Sequence, residues 1–187
     1  MAQHKSLTGQ LALITGAGSG IGRATALQLG ALGARIIVCD RNAATAQETV
    51  DLLQARAVEA WVETADVANW QAMQDLAERV HGRYGVLDIL VNNAGIIRRE
   101  DALKFSEKDW DDVMNINVKS VFFMSQTVAK QFIAQGSGGK IINIASMLSY
   151  QGGIRVPSYT ASKSGVMGIT RLMANEWAKE GINVNAI

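Results

Sequence analysis

Short apolar runs alternate along the chain with longer stretches in which apolar residues return every three or four positions. The runs at 11–15, 34–40, 60–64, 87–92, 140–145 and 183–187 have the length and composition of buried strands. The stretches between them, roughly 21–32, 43–56, 70–84, 107–135 and 158–179, read as helices. Strict alternation of strand and helix calls for right-handed crossovers, which lay parallel strands side by side and cover both faces with helices. The predicted fold is α/β: a single doubly wound parallel sheet of the Rossmann type. No linker, repeat or low-complexity segment divides it, so residues 1–187 read as one domain. Pro157, the one proline, stands at the start of a predicted helix, where no interior hydrogen bond is lost.

Ligands of such sheets sit beyond the carboxyl ends of the strands, and the candidate chemistry falls there. The first strand runs straight into Gly16-Ala17-Gly18-Ser19-Gly20-Ile21-Gly22 and then into a helix. A turn of this kind brings bare backbone N–H groups and a helix N-terminus up to a pyrophosphate. Its glycines follow the spacing G-x-x-x-G-x-G, and no lysine follows to make a P-loop, which favours a dinucleotide over ATP or GTP. Glycines also close ordinary strand-to-helix corners. Asp40 weighs against that plainer reading, because it ends the second strand at about the distance, roughly 20 residues on, where an acid meets the adenosine ribose. Such a carboxylate accepts from both ribose hydroxyls and repels a 2′-phosphate, favouring NAD over NADP. Arg41 can partly offset that repulsion, and Asp40 can also serve as a cap for the following helix.

Further along, Tyr159 and Lys163 stand four residues apart, one turn of a helix, so the phenol and the ammonium share a face. A positive charge there favours the phenolate over the phenol and equips the tyrosine for proton transfer near neutral pH. Ser146 waits at the end of the apolar run Ile141-Ile142-Asn143-Ile144-Ala145. Taken singly, each has an ordinary explanation as a cap, a half-buried ring or a solvated lysine.

Composition narrows the picture. With 48% hydrophobic and 19% charged residues among 187, the chain can bury the core of one ordinary domain. A net charge of +1 without a basic run gives no footprint for nucleic acid. No apolar stretch approaches the length of a membrane span, and Met1-Ala2-Gln3-His4-Lys5 has no apolar leader core, so a cytoplasmic protein is expected. Cys39, the single cysteine, reads as a small core residue. His4 and His81 are far apart without neighbouring ligands, so no metal site is expected.

With Thr15-Gly16 to Gly22, Asp66-Val67, Asn92-Asn93-Ala94-Gly95, Asn117, Ser146, Tyr159 and Lys163 in this order, the chain resembles the short-chain dehydrogenases/reductases from about Leu7 to its last residue. The resemblance implies hydride transfer between NAD and a secondary alcohol or ketone. It implies cofactor contacts from Gly16, Ser19, Gly20, Ile21, Gly22 and Asp40, from Asp66 and Val67 at the adenine, and from Asn92, Ala94 and Gly95. For Asn92 and Asn93 a role in satisfying turn backbone is as well founded. Tyr159 exchanges the substrate's proton, Ser146 holds the same oxygen, and Lys163 also bonds the nicotinamide ribose. Asn117 orders a water beside Lys163, with Asn115 as a rival in the same stretch.

From Asn92 onward the chain resembles, more narrowly, sugar-acid dehydrogenases of that family, which work as homotetramers on ring-opened sugar acids. A sugar acid needs a cation for its carboxylate; Arg155, four residues before Tyr159, is the first candidate, followed by Arg98 and Arg99. Another short-chain enzyme, acting on a polyol or a 3-oxoacyl thioester, would keep the same catalytic residues. A non-catalytic dinucleotide-binding module would more commonly lack Tyr159 or Lys163. The resembling enzymes continue past the sixth strand with Pro-Gly, a segment covering the substrate and a seventh strand, so these residues are expected to be part of a longer protein.

Overall fold

The computed structural model describes residues 6–187; His4 and the rest of the amino-terminal segment judged above for a leader core lie outside them. Six strands, β1 (Leu11–Thr15), β2 (Arg35–Asp40), β3 (Ala60–Thr64), β4 (Ile89–Asn92), β5 (Gly139–Asn143) and β6 (Ile182–Ala186), form one sheet in the order β3-β2-β1-β4-β5-β6. Every pairing is parallel; Leu13 of β1, for example, lies between Ile37 of β2 and Leu90 of β4. The strand order reverses between β1 and β4, and a crevice opens there in folds of this kind.

The helices are α1 (Gly20–Ala31), α2 (Ala43–Gln54), α3 (Trp70–Tyr84), α4 (Glu107–Met114), α5 (Ser120–Gln135), α6 (Leu148–Gln151) and α7 (Pro157–Trp177). Successive strand side chains point to opposite faces, so β1 feeds two cores. Leu11 and Leu13 pack with Met73 and Leu76 of α3, Val128 and Phe132 of α5 and Met173 of α7. Ala12 and Ile14 pack with Ala26 of α1 and with Val50 and Leu53 of α2. All five β1 residues are buried, which explains an apolar run without alternation. Cys39 is buried in the first core, and burial pushes its thiol up to about 12, leaving it inert.

Three departures from the sequence reading have local causes. The helix expected over 107–135 is interrupted by a π turn at Asn115–Lys119. Its Asn-Ile-Asn-Val composition favours the helix weakly, the Asn117 side chain is drawn into the core, and the Ser120 hydroxyl donates to the Ile116 carbonyl. The helix after β2 is capped by Asn42, whose Oδ1 accepts from Ala44 and Thr45, so Asp40 does not cap it. The short helix α6 and the 3-10 turn at Ala102–Lys104 were not expected, being too short to show a period.

Candidate active site

A cleft of about 440 Å³ lies at the carboxyl ends of the strands, within the range of small-molecule sites. The glycine turn and the Tyr159–Lys163 pair both line it, so the two features read separately in the sequence belong to one site. At the turn, Gly16 has φ +63°, and a Cβ there would come 2.8 Å from the Ala94 Cα. Only glycine lets the two loops approach this closely. The following helix α1 starts at Ser19 with no side-chain cap and no acid in its first turn. Its first amides therefore remain available to an anion, and the turn fits a pyrophosphate.

Ser19, Gly20 and Ile21 line the cleft beside Gly16, whereas Gly22 lies beneath the turn, where a Cβ would come 2.3 Å from the Gly16 carbonyl oxygen. Asp40 lines the cleft with its carboxylate fixed from behind: Oδ2 accepts from Gly18 N–H at 2.9 Å and Oδ1 from Asn42 N–H at 3.0 Å. Arg41 lines it too, next to Asp40 in the chain. Asp66, Val67, Ala94 and Gly95 complete this side, and the Asp66 carboxylate accepts from Ala68 N–H.

Asn92 does not line the cleft. It is buried in the sheet, donating to Ser125 Oγ and Asn143 Oδ1, both at 2.9 Å; Asn143 in turn donates to Thr170 Oγ1. Its partners are side chains inside the sheet and not the turn backbone. Ser125, Asn143 and Thr170 were not singled out from sequence, though an asparagine inside the run Ile141-Ile142-Asn143-Ile144 is a signal that a buried polar chain is needed. Asn93 lines the cleft and ties it to the turn, donating to the Thr15 and Gly16 carbonyls, while Thr15 Oγ1 accepts from Asn93 and Ala94 N–H.

On the other side Lys163 is buried, its Nζ donating to the Ile144 carbonyl at 2.5 Å and standing 5.6 Å from the centre of the Tyr159 ring. Burial pulls its pKa down from 10.5 to about 8. Asn117, also buried, makes three hydrogen bonds: Oδ1 accepts from Ile96 N–H, and Nδ2 donates to the Ile96 carbonyl and to Ser162 Oγ. Its side chain holds the loop after β4 and is not hydrogen-bonded to Lys163. Asn115, its rival, donates to the Ala68 carbonyl instead. Ser146 lies just past β5, outside the cleft lining, and its oxygen accepts from Leu148 N–H at 3.1 Å, which leaves the hydroxyl proton free to donate.

Arg155, the first candidate for a substrate carboxylate, is ion-paired. Its Nε meets Asp101 at 3.0 Å and its Nη2 meets Glu100 at 3.5 Å, while its carbonyl accepts from Glu100 N–H. One guanidinium against two carboxylates sums to −1, a poor receiver for an anionic ligand. Arg98 pairs with Asp109 at 3.3 Å. Among the described residues no three His, Cys, Asp or Glu side chains gather as a metal site needs, and no helix is long and apolar enough to cross a membrane.

A parallel sheet in this order, a glycine turn without a P-loop lysine, and a tyrosine paired with a buried lysine define a dinucleotide-dependent oxidoreductase. The chain belongs to the short chain dehydrogenase family, which it matches over residues 10–187. It is 61% identical over 182 residues to 2-dehydro-3-deoxy-D-gluconate 5-dehydrogenase of Escherichia coli (strain K12), covering 97% of this chain and 71% of that protein. The Bacillus subtilis (strain 168) enzyme of the same name is 46% identical over 97% of this chain and 70% of its own length. A crystal structure from Agrobacterium tumefaciens, described as a 2-deoxy-D-gluconate 3-dehydrogenase with bound NADP, superposes with a TM-score of 0.90 at 50% identity, covering 98% of this chain and 72% of that one.

Proposed function

We propose that the chain carries the oxidation of a secondary alcohol on a ring-opened sugar acid, the activity of 2-dehydro-3-deoxy-D-gluconate 5-dehydrogenase or of the related 2-deoxy-D-gluconate 3-dehydrogenase, with NAD as the preferred cofactor. The carrying observation is the 61% identity to an enzyme of the first name, together with Tyr159 and Lys163 lining the cleft that the glycine turn opens. A nicotinamide bound here supplies or accepts the hydride. What the chain's own residues must do is hold the reacting oxygen and manage its proton.

In this reading the Tyr159 hydroxyl takes the proton as the alcohol becomes a ketone, and returns it in the reverse direction. The Lys163 ammonium, held at the Ile144 carbonyl, lends positive charge to the tyrosine oxygen. The Ser146 proton, not used in holding α6, is donated to the substrate oxygen. Asn117 contributes by fixing the Ile96 loop. Asp40 supports NAD by repelling a 2′-phosphate, whereas Arg41 and the NADP-bound relative support the other form. Cytoplasmic residence, a homotetrameric assembly and a single domain spanning 1–187 belong to the same proposal.

The test is turnover followed by nicotinamide absorbance across a panel of sugar acids, polyols and 3-hydroxyacyl thioesters with each cofactor. Thioesters are included because (3R)-3-hydroxyacyl-CoA dehydrogenase of Mus musculus is 39% identical to this chain. Preference for the thioester over the sugar acid would overturn the reading. Within the preferred reaction, Tyr159→Phe is expected to lower kcat by about 10²–10⁴-fold and to leave cofactor affinity nearly unchanged.

A further inference from the structure

The glycine turn is aimed from behind by a residue that does not touch the cleft. Arg23, in the first turns of α1, donates through Nη2 to the Gly18 carbonyl and to the Thr45 carbonyl at 3.3 Å, and through Nε to Thr49 Oγ1 at 2.9 Å. Thr49, fully buried on α2, donates to the Ala17 carbonyl at 3.0 Å. Two consecutive carbonyls of the turn are thus drawn toward α2. A trans peptide is planar, with its C=O and N–H pointing in opposite directions, so fixing one end fixes the other. The Ala17–Gly18 peptide obeys this visibly: Thr49 holds its oxygen while its N–H meets Asp40 Oδ2 at 2.9 Å. In the next peptide Arg23 holds the Gly18 oxygen, and the N–H at the far end belongs to Ser19. Ser19 lines the cleft, and no acceptor for this N–H exists among the described residues.

Resting on the dinucleotide reading of the cleft, we propose that Arg23 is a positioning residue that turns the Ser19 N–H, and with it the uncapped start of α1, toward the cofactor's pyrophosphate. Its charge is not the agent. Glu48 neutralises the guanidinium at 2.8 Å, so what reaches the cleft is the orientation of a peptide and not a distant field. Ser19 to Gly22 alone would form a helix start, but a helix start with a freely rotating preceding peptide presents its amides less consistently.

The test compares ADP-ribose, which carries the pyrophosphate and a second ribose, with adenosine, which carries neither, by calorimetric titration of the chain. Arg23→Met is expected to weaken ADP-ribose about tenfold, the loss of one well-placed hydrogen bond, while adenosine stays within about twofold. Arg23→Lys keeps the charge but loses the Thr49 bond, and is expected to weaken ADP-ribose about threefold with adenosine unchanged. Glu48→Gln removes the ion pair without touching Gly18 and is expected to change neither ligand by more than about twofold. Equal losses for both ligands would make Arg23 a mere tie between α1 and α2, and unchanged ADP-ribose affinity in both arginine variants would remove the role altogether. If the unaltered chain binds adenosine but gains nothing from the phosphates, the pyrophosphate reading fails, independently of Arg23. Should Arg23→Met not fold, the lysine and Glu48 variants carry the comparison.

Discussion

The glycine turn and the segment after β5 serve one cleft but are built in opposite ways. The turn is locked: Asn93, Asp40, Thr49 and Arg23 each hydrogen-bond its backbone, and Ala17 is fully buried. The segment at 146–156 leaves Met147, Tyr150 and Ile154 75%, 72% and 89% exposed, and its tether to the loop after β4 is one backbone hydrogen bond, from Glu100 N–H to the Arg155 carbonyl, and the exposed ion pairs of Arg155. Arg155 also sits at φ +63°, a left-handed conformation that costs a non-glycine residue about 1 kcal/mol. The turn is preorganised by bonds to buried partners, whereas the segment after β5 meets the loop after β4 largely through exposed, exchangeable contacts.

The sharpest break in that contrast is to make a small change on each side. Gly22→Ala puts a methyl 2.3 Å from the Gly16 carbonyl oxygen and 2.9 Å from the Ala17 Cα, and backbone atoms cannot step aside as a flexible side chain would. It is expected to destabilise the fold by about 2–3 kcal/mol and to weaken dinucleotide binding about a hundredfold, read by thermal unfolding and calorimetry. Ile154→Ala, a larger truncation on the exposed side, is expected to alter stability by less than about 0.5 kcal/mol. Comparable losses at the two positions would abolish the distinction.

Lys163, buried where the two sides meet, sharpens it in another way. Folding lowers its pKa from 10.5 to about 8, so at pH 7 the folded chain carries a buried charge at a cost of about 3 kcal/mol. Lys163→Met removes that cost along with one hydrogen bond to the Ile144 carbonyl, worth about 1 kcal/mol. The variant is therefore expected to be inactive and yet more stable at pH 7, by about 2 kcal/mol in urea unfolding. The sign with pH follows from linkage. Between pH 8 and 10.5 the unfolded chain binds more protons at this residue than the folded one, so this contribution to wild-type stability rises with pH and the variant's advantage shrinks. A variant less stable at pH 7 would mean that the lysine supports the fold and that function exacts nothing there.

The same contrast governs what could be read from the sequence. The succession of strands and helices along the chain, the glycine turn, Asp40 at the end of β2 and the Tyr159–Lys163 face were legible because each follows from a local pattern of fixed period or spacing. The buried chain from Asn92 through Asn143 to Thr170, the closed hydrogen bonding around Asn117, and the ion pairs of Arg155 were not. They join residues 21 to 55 positions apart through polar atoms that carry no periodicity: Asn117 to Ile96, for instance, or Arg155 to Glu100. The π turn was hidden for a related reason. The Asn117 side chain there bonds Ile96 and Ser162, partners that the run Asn115-Ile116-Asn117-Val118 does not display.

The smallest expected effect concerns Arg155, where the sequence and the structure pull apart. As a receiver of the substrate's carboxylate it would form a charge-assisted, bidentate pair, and its loss would raise KM for the sugar acid at least about tenfold. As a tether already engaged by Asp101 and Glu100, it contributes exposed ion pairs worth about 0–1 kcal/mol against a left-handed backbone costing a similar amount. Arg155→Gly relieves the backbone as it removes the pairs, so the two changes nearly cancel. The variant is expected to unfold within about 0.5 kcal/mol of the unaltered chain and to keep KM within about twofold. A tenfold rise in KM at unchanged kcat would show that the guanidinium leaves both acids when substrate arrives, and would make the exposed side as specific in its contacts as the locked one.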